Sequence, residues 1–191
     1  MDISSRDQAI ASFLTEADVP AEVINGAGDT NVEDQILEQL EAIAAELPKE
    51  DQGGTRIIVG GRHFSLGEAG WKLLTSSAAF AISTLDPTHL TKLVALNEGL
   101  GLLKELRPLL QKLDPGKMLV CSAIARVSAM KKRSKKFFQE PGASRADIEN
   151  YFEQGGETVE NLDAILKSLE ADKVLTLTYY QHSGPFYGIK F

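Results

Sequence analysis

The sequence predicts a mainly α-helical protein with small β-hairpins, in the α+β class, and three observations support this prediction. The chain has 191 residues, of which 43% are apolar and 25% charged, as is typical of a globular protein. Apolar residues recur at helical spacing in several long segments. Two short extended runs flank Gly60 and Gly61, and a two-residue Gly-Gly connection is typical of a β-hairpin.

The first 50 residues are predicted to form two short helices separated by a loop. SSRDQAIASFLTEA has the capping-box spacing of Ser5 and Gln8, followed by apolar residues on one helical face. The proline and glycines of VPAEVINGAGDTN indicate a loop. VEDQILEQLEAIAAEL then has the apolar spacing of a second helix, with Asn31 as its N-cap.

The next predicted element is the hairpin at residues 55–66, whose register pairs Ile57 with Phe64 and Ile58 with His63. A lone hairpin is marginally stable, so the helix predicted to begin near Gly67 or Glu68 is expected to cover it. This helix includes AGWKLLTSSAAFAISTL, about 17 residues against the roughly 20 apolar residues that span a bilayer. It also contains a lysine and several hydroxyls, so we predict a buried helix and keep a membrane-associated role of residues 70–85 as the weakest alternative.

A leucine seam follows within DPTHLTKLVALNEGLGLLKELRPLLQKLD, where leucines repeat with three-four-three spacing. Such a narrow apolar stripe serves either an internal core or self-association. Glycines within it, and Pro108, which costs about 3 kcal/mol inside a helix, favour the core and predict a helix ending near Arg107. The candidate self-association seam consists of Leu93, Leu96, Leu100 and Leu103.

The best candidate for a domain boundary is LDPG, residues 113–116. Pro115 and Gly116 are predicted to stop one helix just before the next apolar-periodic stretch starts at Lys117. We therefore predict a helical region at residues 1–114 and a second domain at residues 117–191.

The second domain contains, in order, an apolar helix, a turn at EPGAS, a short helix SRADIENYF, a Gly-Gly turn, the helix ETVENLDAILKSLEADK and two strands. The strands KVLTLTYYQ and PFYGIKF are joined by HSG, and the end of the chain is expected to pair into the sheet. The stretch TVENLDAILKSLEADKVLTLTYY resembles the winged-helix (winged helix-turn-helix) family. The resemblance covers residues 117–191 and implies three helices followed by a β-hairpin wing; no family resemblance is assigned to residues 1–116.

In winged-helix DNA readers the third helix enters the major groove. Here residues 157–173 contain five acidic and two basic residues, a net charge of −3. Carboxylates facing phosphates oppose the electrostatic attraction that supplies most non-specific affinity. The wing QHSGP offers only His182 as a cation. Conventional groove docking is therefore not expected, although the resemblance implies it.

A basic cluster contrasts with the overall net charge of −7. Residues 117–139 contain seven basic residues and no acidic one, and KKRSKKFF holds most of them. The cluster has three interpretations: cations at the end of a helix, contacts to an acidic partner, or contacts to the phosphates of nucleic acid. The candidate polyanion or acidic-partner contacts are Lys131, Lys132, Arg133, Lys135 and Lys136.

No residue pattern in the sequence indicates catalysis. His63, His89 and His182 lack the spacing of metal ligands, and the apolar run MLVCSAIA indicates that Cys121 is a core residue. The single cysteine allows no disulfide within one chain, which fits a reducing compartment. We therefore expect no enzyme activity, no catalytic or metal site and no cofactor.

The function predicted from the sequence is a non-enzymatic protein-interaction or assembly module built on a winged-helix-like domain. Its partner is another protein or a second copy in a homo-oligomer, with no membrane and no small-molecule substrate inferred. The alternative is a DNA-binding transcriptional regulator that uses the basic cluster at residues 131–136. The acidic N-terminus MDISSRDQ lacks the pattern of a secretory signal, and the expected localisation is cytoplasmic.

Overall fold

The computed structural model describes eleven secondary-structure elements and some adjoining residues. The predicted leucine seam and the Gly-Gly turn of the first hairpin lie outside the described residues. Of the predicted second helix only residues 38, 41 and 42 are described, and they are helical. The described residues are 2–3, 6–17, 38, 41–42, 55–59, 62–84, 113–134, 142–179 and 184–190.

Besides the helical residues 38, 41 and 42, the described residues before Gly67 form one helix and a three-stranded sheet. Strand β1 is Asp2–Ile3, helix α1 is Arg6–Glu16, strand β2 is Thr55–Val59 and strand β3 is Arg62–Leu66. The predicted hairpin register is confirmed, because Ile57 pairs with Phe64 and Ile58 with His63. Strand β1, which pairs in parallel with β2, was not predicted, since a two-residue strand is too short to have a periodic pattern.

Helix α2, Glu68–Thr84, follows the hairpin as the sequence predicts. It packs on α1 through Trp71, whose ring meets Phe13 edge to face with the centroids 6.1 Å apart. The indole Nε1 donates a 2.6 Å hydrogen bond to Glu16, which satisfies the polar atom of this buried side chain. None of the described helices is long and apolar enough to cross a membrane.

Helix α3, Pro115–Arg133, begins two residues earlier than predicted. Pro115 is the first residue of the helix, so the predicted start at Lys117 was wrong. Proline is favoured at the first helical position because its missing N–H would have no intrahelical acceptor there. Asp114 caps the helix by accepting a 2.9 Å hydrogen bond from the Lys117 backbone N–H.

Helices α2 and α3 pack along one another through many small side chains. Ala78 and Ala79 of α2, and Ala123 and Ala125 of α3, are all almost fully buried. Buried apolar residues on both sides of residue 114 join in a single cluster, from Phe13 in α1 to Leu175 near the end of the chain. The division into regions 1–114 and 117–191 stays a prediction.

The C-terminal part adds two helices and a second three-stranded sheet, which is antiparallel. Strand β6 pairs into the sheet, as predicted, and it lies between β4 and β5, which was not predicted. The described chain is therefore mostly helical with small sheets, which confirms the predicted α+β class. The elements are β4 (Ala143–Ser144), α4 (Arg145–Gln154), α5 (Leu162–Ala171), β5 (Leu175–Tyr179) and β6 (Pro185–Ile189).

Three details of this part differ from the sequence prediction. The segment EPGAS was predicted as a turn, but it contains strand β4. Helix α5 starts at Leu162 and not at Glu157, because Asn161 takes a left-handed conformation with φ 59° that helical backbone does not have. The alternation in LTLTYY predicts that Leu175, Leu177 and Tyr179 share one face of a half-buried strand, but Tyr179 is 70% exposed.

Helices α4 and α5 both end in a Schellman motif. In α5 the backbone N–H groups of Lys173 and Val174 donate to the carbonyls of Glu170 and Leu169, respectively. In α4 the N–H groups of Gly156 and Glu157 make the equivalent bonds to Glu153 and Phe152. The left-handed position is a glycine in α4, with φ 69°, but a lysine in α5, with φ 60°.

Replacement of Lys173 by glycine is therefore expected to stabilise the protein by about 0.5 to 1 kcal/mol, because glycine adopts positive φ without a Cβ penalty. The matched change is Gly156→Ala. It adds a Cβ to a residue with the same left-handed backbone conformation, where the Cβ meets no other atom, and it should destabilise the protein by a similar amount. Urea unfolding of both variants measures these differences. A destabilised Lys173→Gly variant would contradict the prediction.

Candidate functional site

Of the basic cluster predicted from the sequence, the structure describes the side chains of Lys131 and Lys132, which lie near the C-terminal end of α3 and contact different elements. The ammonium of Lys131 forms a 2.6 Å ion pair with Asp147 of α4 and lies 5.2 Å from the centroid of the Phe186 ring. The ammonium of Lys132 lies over the Phe80 ring of α2, 4.8 Å from its centroid. The structure therefore does not gather these two lysines into one patch. Arg133 is the last residue of α3, and Lys135 and Lys136 lie outside the described residues.

Asp147 connects the end of α3 to the start of α4. Its carboxylate accepts hydrogen bonds from the Ser144 backbone N–H and hydroxyl, both at 2.7 Å, and the Ser144 hydroxyl caps the Asp147 N–H in return. Burial alone would raise the pKa of Asp147, but the hydrogen bonds from Lys131 and Ser144 outweigh burial and lower it. Lys131 is thus held by an ionised carboxylate that also caps a helix.

The exposed face of α5, the third helix of the predicted winged-helix domain, carries Asp163, Lys167 and Glu170. Arg145 of α4 donates to Asp163 at 2.7 Å and to Glu149 at 2.6 Å. The hydrogen bond to Asp163, with the nearby charges of both carboxylates, raises the pKa of the Arg145 guanidinium. The arginine beside this face is therefore already engaged by two carboxylates.

A second feature is a groove beside the C-terminal end of α4, here called the glutamate groove. It consists of two adjoining clefts of about 190 and 430 Å³, which share Glu157, Thr158 and Val159. Its apolar floor and its acidic rim are formed by different sets of side chains. The floor comprises Leu119, Phe152, Val159 and Leu162, and the rim comprises Glu68, Glu149, Glu153 and Glu157.

Lys72 of α2 is the one basic residue among the described residues that line the glutamate groove. Its ammonium bonds to Glu157, and it also lies 3.0 Å from Glu68 one helical turn away. Burial lowers the pKa of Lys72, but the hydrogen bonds and charges of Glu157 and Glu68 raise it by more. Its charge is therefore neutralised by two of the rim carboxylates.

The remaining chemically active residue types form no site within the described chain. Cys121 is 1% exposed, and burial raises the pKa of its thiol to about 12, so the thiol is protonated at neutral pH. This confirms its assignment to the core. His63 lies in β3, and the other two histidines lie outside the described residues. Within the described ranges no three histidine, cysteine or acidic side chains are grouped to hold a metal ion.

The acidic residues that organise these surfaces were not predicted from the sequence. Ser144 and Asp147 have capping-box spacing, with aspartate in place of glutamate, and this signal could have identified Asp147. Glu157 follows the Gly155-Gly156 pair, a typical helix C-cap, but its contact with Lys72, 85 positions away in the sequence, has no local signal. The groove is lined by residues from four helices and from the segment after α4, so it could not be predicted from any one of them.

Comparison of the chain with protein-family models found no matching family. Comparison with curated proteins and with solved structures found no match either.

Proposed function

We propose that this protein is a non-enzymatic protein-interaction or assembly module built on a winged-helix-like domain at residues 117–191. The element order from α3 onward supports the winged-helix part of the proposal: helix, strand, two helices and two strands. The sheet order β4-β6-β5, with the last strand in the middle, is compatible with the same arrangement.

The observation that carries the proposal is the charge of the surface that a DNA reader would place in the major groove. The exposed residues at and just before α5 include Glu160, Asp163 and Glu170 but only Lys167 as a cation. Arg145, at the start of α4, is bound to Asp163 and Glu149. Phosphates would be repelled by this face, whereas a protein partner can match it.

The alternative, a DNA-binding transcriptional regulator, would need the basic cluster to contact phosphates. The support for it is weaker because Lys131 is ion-paired with Asp147, and Lys132 is stacked over Phe80. Releasing Lys131 to a phosphate would leave Asp147 without its cation. The two lysines also contact different elements, so they do not follow one strand of a duplex.

The test is a fluorescence-anisotropy titration of a labelled duplex DNA at about 50 and 200 mM salt, with sedimentation velocity of the protein alone in the same buffers. We expect no DNA binding that weakens steeply with salt. Binding that falls by about tenfold or more across this range, and whose salt slope decreases in the Lys132→Gln variant, would replace the proposal with the regulator. The matched control is Lys167→Gln, which removes one exposed cation outside the cluster.

A further inference from the structure

We propose that the glutamate groove is the docking site for a lysine- and arginine-rich segment of a partner protein, with one or more apolar side chains inserted into its floor. The inference rests on the proposed interaction function and adds the location of the contact and the chemistry of the partner. Three properties of the groove support it: its apolar floor, its acidic rim and the net charge of the chain.

The floor provides room for an apolar anchor. Phe152 and Leu162 are buried at 4% and 7% exposure, and Val159 and Leu119 are partly buried beside them. An apolar cavity of about 150 Å³ can hold benzene. The cleft of about 190 Å³ above Phe152, Val159 and Leu162 therefore suits a side chain the size of leucine or phenylalanine.

The rim selects for positive charge. Glu149 and Glu153 are four residues apart on α4, so they lie on one face about one turn apart. Glu157 follows the helix end, and Glu68 lies at the start of α2, across the larger cleft. Arg145 engages Glu149, and Lys72 engages Glu68 and Glu157. Among the described residues Glu153 has no ion-pair partner, so its carboxylate can accept a partner's cation.

The net charge favours a different protein over a second copy of this chain. At −7 the copies repel one another at long range, while a basic partner is attracted. The groove lining, with four carboxylates against the single cation of Lys72, also disfavours nucleic acid and anionic lipid. The occupant that fits both the apolar floor and the acidic rim is a basic, amphipathic protein segment.

The probe is a fluorescein-labelled peptide that carries leucine and lysine at helical spacing, titrated with the full chain at low salt. Two control peptides replace either every lysine by glutamine or every leucine by serine. We expect both replacements to weaken binding by about tenfold or more, because the floor and the rim both contribute. Equal binding of the serine peptide would overturn the proposal, since charge alone would then account for the affinity.

The protein variants are Glu153→Lys, in the rim, and Glu160→Lys, which makes the same charge change at an exposed position outside the groove. We expect Glu153→Lys to weaken peptide binding by about tenfold and Glu160→Lys by about twofold or less. Unchanged circular dichroism and melting temperature confirm that both variants fold. Equal losses in the two variants would contradict a groove and indicate general attraction to an acidic protein.

Two outcomes separate this inference from the proposed function. If sedimentation velocity detects self-association that Glu153→Lys abolishes and Glu160→Lys preserves, the occupant is a second copy and the different-partner proposal is wrong. In that case the interaction function stands. If the protein instead binds DNA with steep salt dependence and does not bind the peptide, both proposals fail.

Discussion

Replacement of Gly142 by alanine is expected to destabilise the protein by about 3 kcal/mol, the largest effect predicted here for a single change. Gly142 precedes β4 and has φ 91°, a conformation that side chains rarely adopt. A Cβ at this position would lie 2.5 Å from the backbone oxygen of Tyr187 in β6. Because the obstacle is backbone and not a flexible side chain, the strand must shift and its pairing with β6 weakens.

The matched control for this change is Gly155→Ala. Gly155 has φ −77°, and its added Cβ would meet its nearest atom at 3.5 Å, an ordinary contact. The free energy of unfolding of the control should change by less than about 0.5 kcal/mol. Urea unfolding at equilibrium measures the free energy of unfolding of both variants. Similar values for the two would show that the fold does not require a glycine at the close approach of residue 142 to Tyr187.

Replacement of Asp147 by alanine is expected to destabilise the protein by about 2 kcal/mol. The change removes the carboxylate that accepts from the Ser144 N–H and hydroxyl, and it leaves Lys131 partly buried without an anion. In the double variant with Lys131→Met, the decrease in the free energy of unfolding should be smaller than the sum of the decreases in the two single variants, because the unpaired charge is also removed. Additive losses would show that the ion pair contributes nothing.

The control for Asp147 is Glu149→Ala, which breaks the more exposed ion pair with Arg145. Exposed pairs contribute little, so a change below about 1 kcal/mol is expected. The effect of Asp147 should also depend on pH. Since its pKa is lowered in the folded protein, its contribution is present above the pKa of an unfolded aspartate and is lost as pH falls through the folded value.

Unfolding of the wild type and of the Asp147→Ala variant at about pH 7 and about pH 3 tests this dependence. The difference in free energy between the two proteins should narrow at the lower pH, because protonation removes the charge that Lys131 and Ser144 bind. If the difference in free energy stays constant or widens on acidification, the contacts with Lys131 and Ser144 do not lower the pKa of Asp147.

The contacts of Lys131 and Lys132 change the interpretation of the basic cluster. In sequence the lysines at 131 and 132 form one run of positive charge, and such a run suggests a single binding surface. In the structure they point to different elements, since neighbouring residues of a helix are about 100° apart around its axis. Lys131 therefore joins α3 to α4, and Lys132 contacts α2.

Local features of the fold were determined by the sequence itself. The hairpin register follows from alternating residues around Gly60 and Gly61, and the helices follow from apolar spacing and their caps. The pairing of β6 was partly predictable, because the apolar residues of PFYGIKF indicated a strand paired into the sheet. The hairpin register and the helices depend on neighbours within a few positions, where propensity and turn geometry act directly, whereas the pairing of β6 with β4 joins distant residues such as Ala143 and Tyr187.

The arrangement of charged and apolar side chains at the surface was determined only by the tertiary structure. The ion pair of Lys131 with Asp147, the link from Lys72 to Glu157 and the acidic rim over an apolar floor all join residues from different parts of the chain. The apolar spacing also did not predict that α5 starts at Leu162. That spacing continues on both sides of Asn161, whose left-handed conformation interrupts the helix. A periodic pattern shows which face of a helix is apolar; the packing of the other elements decides which charges meet at that face.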